Sequence, residues 1–286
     1  MRRAYFRRRL LVALIGLAVI GVVVALVVTR RPKTETVAPP NYRCVATVGD
    51  QTAELNVDQS YYAAIIVGVA VQRGLPARAG SIALATALQE SDLRNLDYGD
   101  RDSVGLFQQR PSQGWGTVEQ IMNPHYATGK FLDALVKVPN WQTGDINDVA
   151  QAVQRSGVPD GYRKHVERAK VLASVLSGET AAGFTCMSKV ASPSDPTGFA
   201  ALLKATYGGA APGTVVQEVP VRVDLTSAAD ATTWSVAAAS QAWAAKFGVI
   251  EVRTSDKVWQ SSATELPRWS SATPAASVRS VSVSFL

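Results

Sequence analysis

The sequence has only two cysteines and two histidines among its 286 residues. His125 and His165 form no cluster of metal-ligand spacing with the cysteines, so the sequence predicts no metal site and no cofactor. No segment of about 20–50 residues repeats, which argues against a repeat protein. Charged residues are scarce at 18%, but hydrophobic residues reach 47%, a composition that excludes a disordered chain.

Acidic residues are absent from residues 1–33, which contain eight basic residues. The whole chain has 29 basic and 23 acidic residues, a formal charge of +6, which is typical of nucleic-acid-binding proteins. Without the first 33 residues, 21 basic and 23 acidic residues remain, a net charge of −2. Residues 34–286 are therefore slightly acidic, and the sequence predicts no nucleic-acid partner.

Residues 10–28 contain neither a charge nor a proline. At about 1.5 Å per residue, a helix of this length matches a hydrocarbon core of about 30 Å. No small-x-small cleavage site follows, which favours an uncleaved transmembrane anchor over a signal peptide. Because the larger basic cluster precedes the span, we expect a single-pass cell-membrane protein with a cytoplasmic N-terminus and the remainder outside.

The two cysteines, Cys44 and Cys186, both follow the predicted anchor. An even count in an exported chain favours one disulfide bond. The alternative is a pair of buried free thiols.

Composition and periodicity divide the chain into five segments. They are a basic tail with the anchor (1–29), a linker (30–43), a helical domain (44–187), a second linker (188–212) and a small α/β domain (213–286). Residues 44–186 show no clear strand alternation, and helices are expected at 58–72, 77–91, 117–122, 124–137, 145–156 and 160–177. The predicted fold is therefore mainly α: an all-α domain after a transmembrane helix, followed by a small α/β domain.

Glu90 stands at the end of an apolar helix, directly before a long polar loop at 95–116. Such a position exposes one side of a carboxyl group to a cleft and buries the other. Partial burial disfavours the anion and suits a general acid. The alternative is an exposed surface carboxylate.

Two motifs in the sequence resemble those of a known protein family. Glu90-Ser91 with Asn95, followed by Gly105-Leu106-Phe107-Gln108, resembles the first two motifs of the lytic transglycosylase and goose-type lysozyme superfamily. The longer stretches 85–96 and 105–116 are similar to exported actinobacterial proteins of this lysozyme-like type. The resemblance covers residues 44–180. It implies a lysozyme-like all-α domain, peptidoglycan glycan strands as the partner and Glu90 as the catalytic acid/base.

The resemblance also implies a set of substrate-binding residues. In the first two motifs these are Ser91, Asn95, Gly105, Leu106 and Gln108. The family's third motif has its nearest counterpart at 152–157, where Gln154 replaces the usual Asn and can form the same amide hydrogen bonds from a longer side chain. Downstream, Tyr162 either holds the Glu90 carboxyl by a hydrogen bond or packs in the core.

Further side chains are candidates for sugar contacts. Trp115, in a Gly-Trp-Gly sequence beside the second motif, is the strongest candidate for a stacking platform, with Trp141, Tyr98 and Phe107 as alternatives. Gln109, like Gln108, carries an amide suited to acetamido groups. Taken singly, each residue is more often a packing or surface residue.

The implied reaction is protonation by Glu90 of the glycosidic oxygen between N-acetylmuramic acid and N-acetylglucosamine. We expect 1,6-anhydro ring closure, although Asp97, Asp100 or Asp102 in the following loop could activate water instead, or simply serve turns. The alternative function is a catalytically degenerate domain that binds peptidoglycan or a cell-envelope partner. The segment 213–286 carries no recognised chemistry and is a candidate surface for an envelope protein.

Overall fold

The computed structural model of the chain describes residues 41–211, 213–216, 222–227, 229–273 and 279–286. The helices are α1 (Val57–Gln72), α2 (Ala77–Ser91), α3 (Val118–Met122), α4 (Pro124–Leu135), α5 (Ile146–Gln154), α6 (Val166–Leu176), α7 (Pro196–Tyr207), α8 (Asp230–Ala242) and α9 (Ala244–Phe247). The strands are β1 (Arg43–Val48), β2 (Gln51–Leu55), β3 (Phe184–Met187), β4 (Gly213–Val216), β5 (Arg222–Thr226), β6 (Val249–Arg253), β7 (Lys257–Gln260), β8 (Ser270–Ser271) and β9 (Ser280–Phe285).

The first sheet has three antiparallel strands in the order β2-β1-β3. Strands β1 and β2 form a hairpin, whereas β3 comes from more than a hundred residues further along the chain. Cys44 and Cys186 are register partners on β1 and β3, and their sulfur atoms are bonded. The predicted disulfide is therefore confirmed.

Helix α1 forms the centre of the helical layer. Its N-terminus is closed by a capping box, in which Asn56 accepts from the Gln59 amide and Gln59 bonds back to the Asn56 amide. Residues 63–70 are all buried, because α2, α4, α7 and α8 pack around the helix. Such complete burial explains why these residues are small or aliphatic on every face of the helix.

The second sheet has six antiparallel strands in the order β4-β5-β9-β6-β7-β8. Strand β9 lies in its middle and alternates between buried Val281, Val283 and Phe285 and partly exposed serines. This period of two follows from the pleat of a sheet that has one face on the core.

The predicted mainly α fold with an all-α domain is wrong. Two antiparallel sheets accompany the helices, and the three-stranded sheet lies within the region expected to be purely helical. The strands were missed because they are short and their buried residues are mostly small, such as Ala46 and Ala53. Such residues give little hydrophobic contrast along the sequence.

The segment 188–212, predicted as a linker, contains α7. Pro196 occupies the first helical turn and the Asp195 side chain accepts from the Gly198 amide at 2.7 Å. Phe199 is fully buried and its ring lies edge-on to those of Trp243 and Phe285. Pro40–Leu286 form one compact unit, so the helical layer and the six-stranded sheet share a core.

The predicted single-pass membrane location is also corrected. No helix in the described part of the chain combines the length and the apolar character needed to cross a bilayer. The span predicted at 10–28 lies outside the described residues.

One buried amide in this core has no partner. Gln241, in α8, is 1% exposed, and neither its Oε1 nor its Nε2 finds a hydrogen-bond partner among the described residues. An unpartnered buried amide loses its hydration without compensation. We therefore expect Gln241→Met, which keeps the shape and removes both polar atoms, to raise the free energy of unfolding by about 1–2 kcal/mol. Chemical denaturation measures this change.

The matched control is Gln142→Met. Gln142 is exposed, and its substitution should leave the free energy of unfolding unchanged. A lower stability for Gln241→Met would contradict the prediction, because it would show that the buried amide has a favourable partner.

Candidate active site

Glu90 lies in the last turn of α2, where the helix leaves the core. Residues 79–88 of this helix are all buried, and Gln89 and Glu90 are the first partly exposed positions after them. The helix ends because Asp92 adopts a left-handed conformation with φ 53°, and Leu93 follows with φ 56°. The Glu90 carboxyl group is thereby fixed at the boundary between core and solvent.

The phenol of Tyr162 holds this carboxyl group. Its hydroxyl donates to Glu90 Oε1 at 2.6 Å, although 72 residues separate the two in sequence. Tyr162 is fully buried, and its backbone amide donates to Asn147 Oδ1. Burial, reinforced by the Glu90 carboxylate, raises the pKa of Tyr162, so the phenol remains a donor. Tyr162 therefore both holds the Glu90 carboxyl group by a hydrogen bond and packs in the core.

Glu90 opens onto a cleft of about 1140 Å³. One wall is formed by the loop 100–115, a second by residues 134–139 at the end of α4, and a third by residues 152–157 at the end of α5. The volume exceeds the range of ordinary small-molecule pockets, about 300–1,000 Å³. A second depression of about 430 Å³ shares Gln113, Trp115 and Lys137 with this cleft. The two together offer room for an extended ligand.

The two sequence motifs are joined behind the cleft. Ser91 is buried, and its Oγ donates to the Leu106 carbonyl at 2.8 Å. Gly105 has φ +82° and packs so closely on α3 that a Cβ there would lie 3.0 Å from the Ile121 carbonyl oxygen. Phe107 is buried and stacked on Phe131. These residues fix the loop against the end of α2.

Four glutamines line the cleft, and three of them, Gln108, Gln109 and Gln154, donate hydrogen bonds to backbone carbonyls. Gln154 donates through Nε2 to the Phe107 carbonyl at 2.8 Å, and so ties the third motif to the second. Gln108 donates to the carbonyls of Tyr98 and Gly105. Gln109 is 2% exposed and donates to Ala127, whereas its Oε1 has no partner in the described part of the chain. The amides are held in place by the backbone that they bind.

The structure separates the predicted site residues into groups. The cleft is lined by Glu90, Gln108, Gln109, Trp115 and Gln154. Behind it lie Ser91, Gly105, Leu106 and Tyr162. Asn95 instead lines a separate groove of about 530 Å³ beside Tyr61, Tyr62 and Lys246, and its Nδ2 donates to the Met122 carbonyl. The structure therefore places Asn95 outside the cleft of Glu90.

The other aromatic candidates are not positioned on the cleft wall. Trp141 is 6% exposed, and its carbonyl accepts from Arg78. Tyr98 is exposed, and Phe107 is part of the core. Among the aromatic candidates, Trp115 alone lines the cleft in the described part of the chain.

The three loop carboxylates differ in their surroundings. Asp102 accepts from the Ser112 amide at 2.8 Å and from Arg110 Nε at 2.6 Å. Hydrogen bonds from Ser112 and Arg110 lower the pKa of Asp102, so it is an ionised, fully engaged group. Asp97 is exposed and does not line the cleft, whereas Asp100 is exposed and does. Asp100 is thus the second carboxylate in this cleft among the described residues.

Sequence reasoning missed the cationic side chains of the cleft, which are Arg101, Arg110, Lys137 and Arg155. Arg110 lies two residues after the second motif and Arg155 lies within the third-motif counterpart at 152–157, and this proximity was the available signal. Lys137 follows α4, far from any motif, and only the folded chain brings it to the cleft.

Neither protein-family models nor curated protein sequences give a match to this chain.

Proposed function

We propose that this protein cleaves glycan strands of peptidoglycan, with Glu90 as a general acid and base in a lytic-transglycosylase-type reaction. The observation that carries the proposal is a partly exposed Glu90 on the wall of a large polar cleft, held at 2.6 Å by a buried tyrosine. A carboxyl group in such a place can reach a glycosidic oxygen in a fixed orientation. The two sequence motifs that surround it support the same reaction.

The first step is proton transfer from protonated Glu90 to the oxygen that links N-acetylmuramic acid to N-acetylglucosamine. The bond from the anomeric carbon to this oxygen breaks, the N-acetylglucosamine side leaves with a new hydroxyl group, and an oxocarbenium-like centre develops. The neighbouring acetamido oxygen of the substrate can stabilise this centre, so no protein nucleophile is required.

In the second step Glu90, now ionised, takes the proton of the muramic 6-hydroxyl group. The hydroxyl oxygen bonds to the anomeric carbon and closes a 1,6-anhydro ring, which returns Glu90 to its protonated form. The arrangement of carboxylates favours this route over hydrolysis. Asp102 is engaged by Arg110 and Ser112, which leaves only exposed Asp100 in the described lining as a candidate to direct a water molecule.

Trp115 and Gln108 are the proposed sugar contacts. Trp115 lies where the cleft meets its neighbouring depression, so a sugar ring stacked on the indole would continue the strand beyond Glu90. Gln108 is oriented by two backbone carbonyls through Nε2 and keeps its Oε1 to accept from a substrate N–H.

Tyr162 is a positioning residue in this proposal, because it contacts Glu90 and is itself fully buried. We expect Tyr162→Phe to lower kcat by about 10- to 150-fold with little change in KM, since a hydrogen bond to a charged group contributes about 1.5–3 kcal/mol. Steady-state kinetics on soluble glycan strands separates the two constants. An equal rise in KM would show that the variant disturbs the cleft rather than the carboxyl group.

The decisive experiment incubates the full-length protein with purified peptidoglycan and identifies soluble products by mass spectrometry. Glu90→Gln serves as the inactive control, since glutamine still accepts from Tyr162. Release of 1,6-anhydro products by the wild type alone supports the proposal, and release of reducing ends indicates hydrolysis. Binding without release would favour the alternative of a glycan-binding protein without activity. Equal release by the variant would overturn the role of Glu90.

A further inference from the structure

The cleft is lined by more basic than acidic side chains. Six ionisable side chains face it, of which Glu90 and Asp100 are acidic and four are basic. Arg110 is neutralised by Asp102 at 2.6 Å, and Arg101 lies 3.8 Å from Asp100. Lys137 and Arg155 form no ion pair with any carboxylate in the part of the chain that the structure describes. The cleft therefore keeps two uncompensated cations.

These two cations lie on different walls. Lys137 follows α4 and belongs both to the cleft and to the depression beyond Trp115. Arg155 ends α5 in a left-handed conformation with φ 52°, directly after Gln154. Both walls line the same cleft, so a strand bound there lies beside each of them. Its substituents can therefore meet positive charge on either side.

We propose that Lys137 and Arg155 are specificity residues that select glycan strands bearing free carboxylates over neutral N-acetylated strands. The inference rests on the proposed function for the identity of the strand and adds the class of its substituents. Carboxylates of the stem peptides, or of lactyl groups that bear no peptide, match the two cations in charge, and the guanidinium of Arg155 offers a planar fork to a carboxylate. A neutral chitin-type oligomer offers neither cation a partner.

The test measures binding to the full-length Glu90→Gln protein, so that no ligand is consumed. Three probes of equal sugar length are compared: a peptide-bearing strand, the same strand after chemical amidation of its carboxylates, and an N-acetylglucosamine oligomer. We expect the carboxylated strand to bind more tightly than the amidated strand, and this preference to shrink with added salt.

Lys137→Gln and Arg155→Gln should each weaken binding of the carboxylated strand about two- to fivefold, and the double variant about tenfold, as expected for exposed ion pairs. Binding of the two neutral probes should not change. Lys204→Gln is the matched control, because Lys204 is exposed on α7 and does not line the cleft. It should leave all three affinities unchanged.

Two results overturn the inference: equal affinity for the carboxylated and amidated strands, or an equal loss for charged and neutral probes in the variants. Neither result bears on cleavage by the wild-type protein, which can still release anhydro products. Conversely, carboxylate-dependent binding without any cleavage by the wild type would support the inference and refute the proposed function.

Discussion

Glu90→Gln is expected to lower the rate of glycan-strand cleavage by about 10²–10⁴-fold, the range that general acid–base catalysis contributes. Glutamine has nearly the size of glutamate and still presents an oxygen to the Tyr162 hydroxyl, but it carries no transferable proton. The free energy of unfolding should fall by only about 1 kcal/mol, because the hydrogen bond from Tyr162 persists but no longer reaches a charged group. A large loss of rate with a small loss of stability is the expected combination.

The matched control in the same cleft is Asp100→Asn. It removes the other lining carboxylate from an exposed position without touching Tyr162. If the reaction closes an anhydro ring, this variant should keep a rate within about threefold of the wild type. A loss as large as that of Glu90→Gln would indicate a water-activating carboxylate and hence hydrolysis. Retention of the wild-type rate by Glu90→Gln would exclude the catalytic role.

The contact between Glu90 and Tyr162 illustrates what the sequence could predict about this site. The position of Glu90 followed from a local signal, an apolar helix that gives way to a polar loop, and helix α2 ends within one residue of this point. Tyr162 remained ambiguous because its role depends on a contact across 72 residues. The folded structure shows that Tyr162 both donates this hydrogen bond and packs in the core, and sequence spacing carries no such information.

The position of Asn95, unlike that of Glu90, could not be predicted from a local sequence signal. Its place in the first motif predicted a contact with substrate, but the two left-handed residues that follow α2 turn the chain toward another groove. Aspartate adopts the left-handed conformation more often than most residues do, but leucine rarely does, so residue type does not predict two such residues in succession. The direction of the chain after Glu90, and with it the position of Asn95, was therefore inaccessible to the sequence.

The missed strands and the misjudged linker have different causes. Strand β3 pairs with β1 from a distant part of the sequence, and its four residues are too few to show a period. The segment 188–212 is predicted as a linker, and it contains Pro196. After Asp195 this proline is instead a helix-start signal, because proline suits the first helical turn and aspartate the position before it. This second error could have been avoided from the sequence.

The replacement of both cysteines, Cys44→Ala with Cys186→Ala, is expected to lower the free energy of unfolding by about 2–5 kcal/mol. The bond joins adjacent strands of the three-stranded sheet and closes a loop with a sequence separation of 142. A loop of this length has much conformational freedom in the unfolded chain, and the cross-link removes part of it. Both sulfur-bearing side chains are also buried, so their truncation removes packing contacts.

Guanidinium denaturation of the oxidised wild type, the reduced wild type and the double variant tests this prediction. Reductant should shift the wild-type midpoint toward that of the variant and leave the variant's midpoint unchanged.

Glu90 and the cleft walls lie between residues 90 and 157, well inside the closed loop, and none of the lining residues contributes to the cross-link. At temperatures where the variant is folded, its kcat should therefore match the wild-type value. A loss of kcat in the folded variant would mean that the cross-link also fixes the position of Glu90, whereas a change in stability below about 0.5 kcal/mol would show that the sheet holds without it.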